Sequence, residues 1–302
     1  MNAPWQALVL SRLLLATLLA TCAMPCNAAT PDASLELWPT GSMPGVGSHV
    51  QGPSPRMDVY LASQPASAAI LIFAGGGYAH LQEAKEALPA ALWLQHEGIT
   101  AAVVTYRLPA DGWLPVAPFQ DGQRALRLLR ARATQMGIDP RRIGVMGFSA
   151  GGNLAGILAA RASHDFYPAR DDIDRQSARP AFAALLYPVV SLLPPLDTTR
   201  AARELGRRSD AAAQYSIQLH VDPSMPPLFV AQAVDDPIAR VGNSEVLLQA
   251  MLAAGAPIEL HLFEHGGHGW GMGAPGTEPA QWPGLFRAWA RIHGLLPNTG
   301  GP

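Results

Sequence analysis

Short, nearly continuous apolar runs alternate along this chain with longer stretches whose apolar positions recur every three or four residues. The runs cover residues 68–73, 99–105, 143–146, 181–187, 228–233 and 258–263, and the helical stretches cover 83–96, 121–136, 152–161 and 244–254. A further short segment, 57–61, has the alternation of a strand. Unbroken apolar runs suit parallel strands, because helices cover both of their faces. Strands alternating with helices predict βαβ units, hence an α/β fold with a mostly parallel central sheet and helices on both faces. Gly137 and Gly255, each just past the last apolar position, mark helix ends.

Three stretches break the rhythm. Residues 31–58 are rich in Pro, Gly and Ser and read as an irregular lead-in. Residues 164–180 carry Asp165, Arg170, Asp171, Asp172, Asp174 and Arg175, which predicts a solvated loop. Residues 191–227 hold Pro194-Pro195 and Pro226-Pro227 around one expected helix, 200–215. Placed after the strand that follows the 152–161 helix, this small insertion should lie over the carboxyl edge of the sheet, where ligands bind.

The N-terminus follows a different logic. Arg12, the apolar stretch 13–20 and the small residues Asn27-Ala28-Ala29 have the layout of a secretory signal peptide. Residues 1–29 are therefore set apart and 30–302 read as a single domain, exported to the periplasm or secreted. Leu19-Ala20-Thr21-Cys22 faintly resembles a lipoprotein site, for which threonine before the cysteine is a poor fit. Both cysteines, Cys22 and Cys26, fall in the leader. The mature chain then has no thiol for a disulfide, a nucleophile or a metal.

Of the 302 residues 49% are apolar, enough for one substantial core. A formal charge of −2 without a basic run argues against nucleic acid or an anionic membrane as partner. No internal run reaches the roughly 18 apolar residues of a membrane span.

The chemistry begins at Gly147-Phe148-Ser149-Ala150-Gly151, between the run 143–146 and the helical stretch 152–161. A G-x-S-x-G pentad at a strand-to-helix junction lifts a serine hydroxyl off the sheet on a sharp turn. A serine needs a base to take its proton, and the chain has nine histidines. His268, in Gly266-Gly267-His268-Gly269 directly after the last apolar run, is the candidate, with His265 its competitor. A zinc pair from His265 and His268 is weak, for no third ligand is evident. The base needs a carboxylate, and Asp235-Asp236-Pro237 follows the run 228–233. Asp236 is preferred, with Asp235 left to cap or solvate the turn. For the oxyanion, backbone N–H donors are expected from Ala150 and from Gly76 and Gly77 after the run 68–73. Tyr78 and His80 are candidate pocket residues.

Together these residues resemble the α/β-hydrolase superfamily, and more narrowly the acetyl-xylan esterases and BD-FAE-like carbohydrate esterases. The resemblance runs through Leu37-Trp38-Pro39, Gly75-Gly76-Gly77-Tyr78, Trp93-Leu94 and Tyr106-Arg107-Leu108-Pro109 as well as the serine, aspartate and histidine segments. It departs from the hormone-sensitive-lipase branch at Ala74, where that branch has histidine, and from dienelactone hydrolases, whose nucleophile is cysteine. The resemblance implies an α/β-hydrolase fold and a serine esterase, with a small-molecule or oligosaccharide ester as substrate and no cofactor. Acetyl groups on plant polysaccharide are the expected target. A general short-chain esterase, or a serine peptidase of the prolyl-oligopeptidase kind, is the alternative.

Overall fold

The computed structural model describes residues 30–45, 52–63, 66–206 and 210–296. The expected signal peptide and both cysteines lie outside them. Eight strands form one sheet: β1 (Ala33–Glu36), β2 (Arg56–Tyr60), β3 (Ala69–Phe73), β4 (Thr100–Thr105), β5 (Ile143–Phe148), β6 (Ala183–Leu186), β7 (Leu228–Ala233) and β8 (Ile258–Phe263). Among the described residues seven α-helices accompany them: α1 (Leu88–His96), α2 (Ala117–Arg132), α3 (Ala150–Ala160), α4 (Arg200–Leu205), α5 (Ala211–Tyr215), α6 (Gly242–Ala254) and α7 (Trp282–Ile292).

The strand order is β1-β2-β4-β3-β5-β6-β7-β8. β2 pairs antiparallel with both β1 and β4, and every pairing from β4 through β3 to β8 is parallel. The chain reverses direction across the sheet between β3 and β5. In such sheets the crevice beyond the carboxyl ends at that reversal is where ligands bind.

Strand alternation sorts the apolar side chains onto two faces. Leu71, Phe73, Val145, Leu185 and Val230 join a core that also takes in Leu126, Leu129, Leu154, Leu158 and Leu247 from α2, α3 and α6. On the other face, Phe148, Phe182 and Phe229 meet Trp282, Phe286 and Trp289 of α7, and Trp93 of α1 packs on Trp282 and Phe286. Every side chain of β3 is buried. Each large one contributes about 1.5–3 kcal/mol.

Several expectations need correction. β1 lies inside the stretch read as an irregular lead-in. The expected helix 200–215 is two short helices, α4 and α5. α2 begins earlier than expected because Pro118 is tolerated in a first helical turn. The charged stretch 164–180 is not simply a solvated loop: Phe166 and Tyr167 are buried, and Asp171 and Asp174 pair with Arg124 of α2. α7 was missed altogether, although Trp282, Phe286, Trp289 and Ala290 have helical spacing and form its buried stripe.

Candidate active site

Ser149 sits between β5 and α3 with φ 53° and ψ −116°, a conformation costly for a residue with a Cβ. The strain is held in place by packing. A Cβ on Gly147 would stand 2.0 Å from the Gly151 carbonyl oxygen, so strand and helix can meet this closely only through glycine. Ser149 N–H donates to the Leu186 carbonyl, which ties the turn to β6. The serine is 7% exposed.

His268 lies in the loop after β8, with Nε2 2.8 Å from Ser149 Oγ and Nδ1 2.7 Å from Asp236 Oδ2. Asp236, in the turn after β7, is 4% exposed. Its Oδ1 accepts from the N–H groups of Ile238 and Ala239, and its Oδ2 accepts from Gln232 Nε2. Those donors satisfy the carboxylate without neutralising it. With its proton on Nδ1, the imidazole presents Nε2 as the acceptor for the serine proton. The sequence named all three residues; Gln232, inside the run 228–233, had no signal apart from being polar there.

Asp235 does more than cap a turn. Its Oδ1 accepts from Gly266 N–H at 2.9 Å and Gly267 N–H at 2.7 Å, so it anchors the histidine loop. The Gly267 N–H bond leads the causes that hold its carboxyl below the usual range. His265 faces Asp235 at the surface, with Nδ1 3.6 Å from Oδ2, and the histidine in contact with Ser149 is His268.

The loop after β3 completes the site. Its carbonyls are engaged: Gly75 O accepts from Gln82 N–H, and Gly76 O accepts from the N–H groups of Ala79 and His80. Among the described residues no hydrogen bond uses the N–H of Gly76 or Gly77, which leaves both donors for a ligand oxygen. Gly76 has φ 122°, and a Cβ there would stand 2.1 Å from the His80 carbonyl oxygen. Ala150, the first residue of α3, offers its N–H at the helix start, where such groups lack an intrahelical partner.

A cavity of about 300 Å3 opens over these groups, lined among others by Gly76, Gly77, His80, Ser149, Arg200 and His268. His80 is among the residues that line it. Tyr78 is not. It is fully buried beneath the loop and its hydroxyl donates to Asn153 Oδ1, so the tyrosine supports the loop from inside. The insertion reaches the pocket through Thr199, Arg200 and Ala201. Among the described residues no cluster of three His, Cys, Asp or Glu side chains could hold a metal.

Fold and site together define an α/β-hydrolase with a serine, histidine and aspartate at the carboxyl edge of its sheet. The BD-FAE family model matches residues 57–251, and the chain belongs to that family. It is 31% identical over 226 residues to an acetylxylan esterase of Xylanibacter ruminicola, covering 72% of this chain and 44% of that protein. It is 29% identical over 206 residues to endo-1,4-beta-xylanase B of Butyrivibrio fibrisolvens, covering 66% of this chain and 32% of that one. The match thus spans less than half the length of either relative. The crystal structure of an acetyl ester-xyloside bifunctional hydrolase from Caldicellulosiruptor lactoaceticus superposes with a TM-score of 0.80 at 30% identity, covering 89% of this chain and 99% of that one.

Proposed function

We propose that the protein is an exported serine carboxylic-ester hydrolase that removes acetyl groups from plant polysaccharide or its oligosaccharides. The observation that carries the chemistry is the continuous contact from Asp236 through His268 to Ser149 beside the free N–H groups of the oxyanion loop. Ser149 Oγ attacks the ester carbonyl while its proton passes to His268 Nε2. The oxyanion forms against the N–H groups of Ala150, Gly76 and Gly77. His268 returns the proton to the leaving alcohol, and water then hydrolyses the acyl-enzyme by the same relay. Asp236 holds the imidazole and balances its charge in both halves.

Similarity to an acetylxylan esterase and to an acetyl ester-xyloside hydrolase supports the substrate class. A cavity of about 300 Å3 beside Ser149, open to solvent, has room for a short acyl group. Arg200 at its rim suits a hydrated sugar better than a long alkyl chain. Export rests on the charged, apolar and small-residue order within 1–29, and the N-terminus of the processed protein tests it.

The deciding experiment compares acetate release from acetylated xylan with turnover of chromogenic esters of increasing acyl length. Acetyl esters should exceed octanoyl esters in kcat/KM by at least about tenfold, since each further methylene would need an apolar groove to contribute its roughly 0.8 kcal/mol. Preference for octanoyl with no acetate from xylan would make the protein a general or lipid esterase.

A further inference from the structure

Glu86 is a carboxylate that the serine relay leaves without a role. It is 3% exposed and lies in a π-helical turn, Glu83–Ala87, that leads into α1. Such turns are rare and recur at functional sites. One of its oxygens, Oε2, accepts from Gly75 N–H at 2.6 Å; the other, Oε1, accepts from the Tyr187 hydroxyl at 2.9 Å. That hydroxyl also accepts from Gly271 N–H, at 3.1 Å, in the loop that carries His268. The Tyr187 ring stands edge-on to the His268 ring, with centroids 5.0 Å apart. Tyr187 itself is held at φ 37° at the end of β6.

The other side of the same peptide is fixed as well. The Ala74 carbonyl accepts from the Tyr106 hydroxyl at 2.6 Å, so the Ala74–Gly75 peptide is bonded at both its C=O and its N–H. That peptide directly precedes Gly76 and Gly77, and its rotation would redirect their N–H groups. It also lies against the nucleophile: a Cβ on Gly75 would be 2.9 Å from both Glu86 Oε2 and Ser149 Cβ.

We propose that Glu86 is a positioning residue that ties the oxyanion loop to the histidine loop, through Gly75 N–H on one side and the Tyr187 hydroxyl and Gly271 N–H on the other. This inference rests on the Ser149–His268–Asp236 reading above. Two donors pointing at two oxygens are the pattern of an ionised carboxylate. Burial pushes the Glu86 carboxyl above its usual range, opposed by the Gly75 and Tyr187 hydrogen bonds and by the charges of His268 and Lys85. Buried beside the relay, Glu86 also stabilises the imidazolium that forms in the transition state. The titratable groups facing it are His268, Lys85, Tyr187 and Tyr106.

Misdirected N–H donors weaken transition-state binding and leave ground-state binding almost untouched. Glu86→Gln cannot accept both donors, and it removes the charge. The test counts functional serines by fluorophosphonate titration and then measures turnover of an acetyl ester per titrated site. In Glu86→Gln, kcat per site should fall about 30-fold while KM stays within about threefold. The acid limb of kcat/KM should move to lower pH, because a negative charge beside His268 has gone. Tyr187→Phe should lose about tenfold, and the double variant should be no worse than Glu86→Gln alone, since both break one chain of contacts. A purely structural Glu86 would lower the melting temperature or the number of titratable sites without moving kcat per site or the pH limb. Glu86→Gln with kcat per site within about threefold of wild type overturns the proposal. If that variant yields no titratable protein, Tyr187→Phe decides by the same criteria. A wild type that neither titrates nor turns over acetyl ester would instead overturn the serine-esterase reading.

Discussion

Two buried polar clusters in this protein are built by opposite rules. Near α2, each carboxylate faces a guanidinium. The Arg107 and Asp121 side chains are both 0% exposed and 2.8 Å apart, and Arg124 bridges Asp171 and Asp174 beneath the ring of Trp38. At the carboxyl edge of the sheet, Asp236 and Glu86 are nearly as deeply buried as Arg107 and Asp121, yet among the described residues no arginine pairs with either; N–H and O–H groups hold them. A guanidinium cancels the charge it solvates, whereas dipolar donors keep the charge available. The first cluster locks the lead-in strand and the 164–180 stretch onto α2. The second sets two carboxyl groups, without a guanidinium, around His268, which the proposed mechanism uses to balance an imidazolium. Substitutions should separate the two: those at the catalytic edge cost rate, and those at the arginine cluster cost stability.

The largest expected effect is at the nucleophile. Ser149→Ala should lower kcat by roughly 10⁶ with little change in folding, leaving what the oxyanion donors and binding supply alone. Retention of more than about a tenth of wild-type kcat would remove Ser149 from the role. Next come the adjacent aspartates. In Asp236→Asn, the amide would keep Ile238 and Ala239 bonded to its oxygen and turn its NH2 toward His268 Nδ1. That forces the wrong tautomer, and the expected loss is roughly 10⁴ in kcat. Asp235→Asn keeps an acceptor for Gly266 and Gly267 N–H, so its loss should stay within about tenfold. Equal losses, or the reverse order, would mean that the wrong carboxylate has been assigned.

The same contrast explains what could be read from the sequence. Central parallel strands announce themselves because burial on both faces removes most polar residues from them, and 228–233 matches the fully buried β7 to the residue; 258–263 matches β8 as well, although this half-exposed edge strand keeps Glu259 and His261. Ser149, Asp236 and His268 were legible because each follows a strand in a fixed chain order. Glu86 was not, since its sequence neighbours make it look like one more acid on a helix surface. Its burial comes from the fold of the Gly75 loop over it. Trp38 and Arg107 were legible as motif residues without a reason. The structure supplies one: Trp38 Nε1 donates to Asp121 Oδ1, and Arg107 Nε donates to both oxygens of the same carboxylate. Tyr78 was misplaced because a residue next to an oxyanion loop can point into the pocket or under it, and periodicity does not distinguish the two.

The smallest expected effect sharpens the arginine side of the comparison through pH. The hydrogen bond from Arg124 holds the Asp171 carboxyl below its ordinary value. Burial pushes Asp174 up, but hydrogen bonds from the Tyr167 hydroxyl, Arg170 N–H and Arg124 outweigh it and leave that carboxyl lowered too. A carboxyl depressed in the folded state contributes stability that is fully present above its unfolded value of about 4 and is lost as pH falls through the folded value. Glu86 runs the other way, since burial raises it and acid relieves the cost of its charge. Arg141 depresses Asp139 to about 2, but that pair is untouched by a change at Arg124 and cancels in the comparison. Arg124→Gln should therefore cost about 3 kcal/mol near neutral pH. Its stability should then fall less than that of wild type between about pH 5 and pH 3, because Asp171 loses its leading hydrogen bond and Asp174 keeps only those from Tyr167 and Arg170, so both carboxyls are lowered less. Turnover per titrated site should not change, for Arg124 touches nothing at the catalytic edge. Denaturant melts at the two pH values check the difference, and an equal acid loss in variant and wild type would show that Arg124 is not what holds these carboxylates ionised.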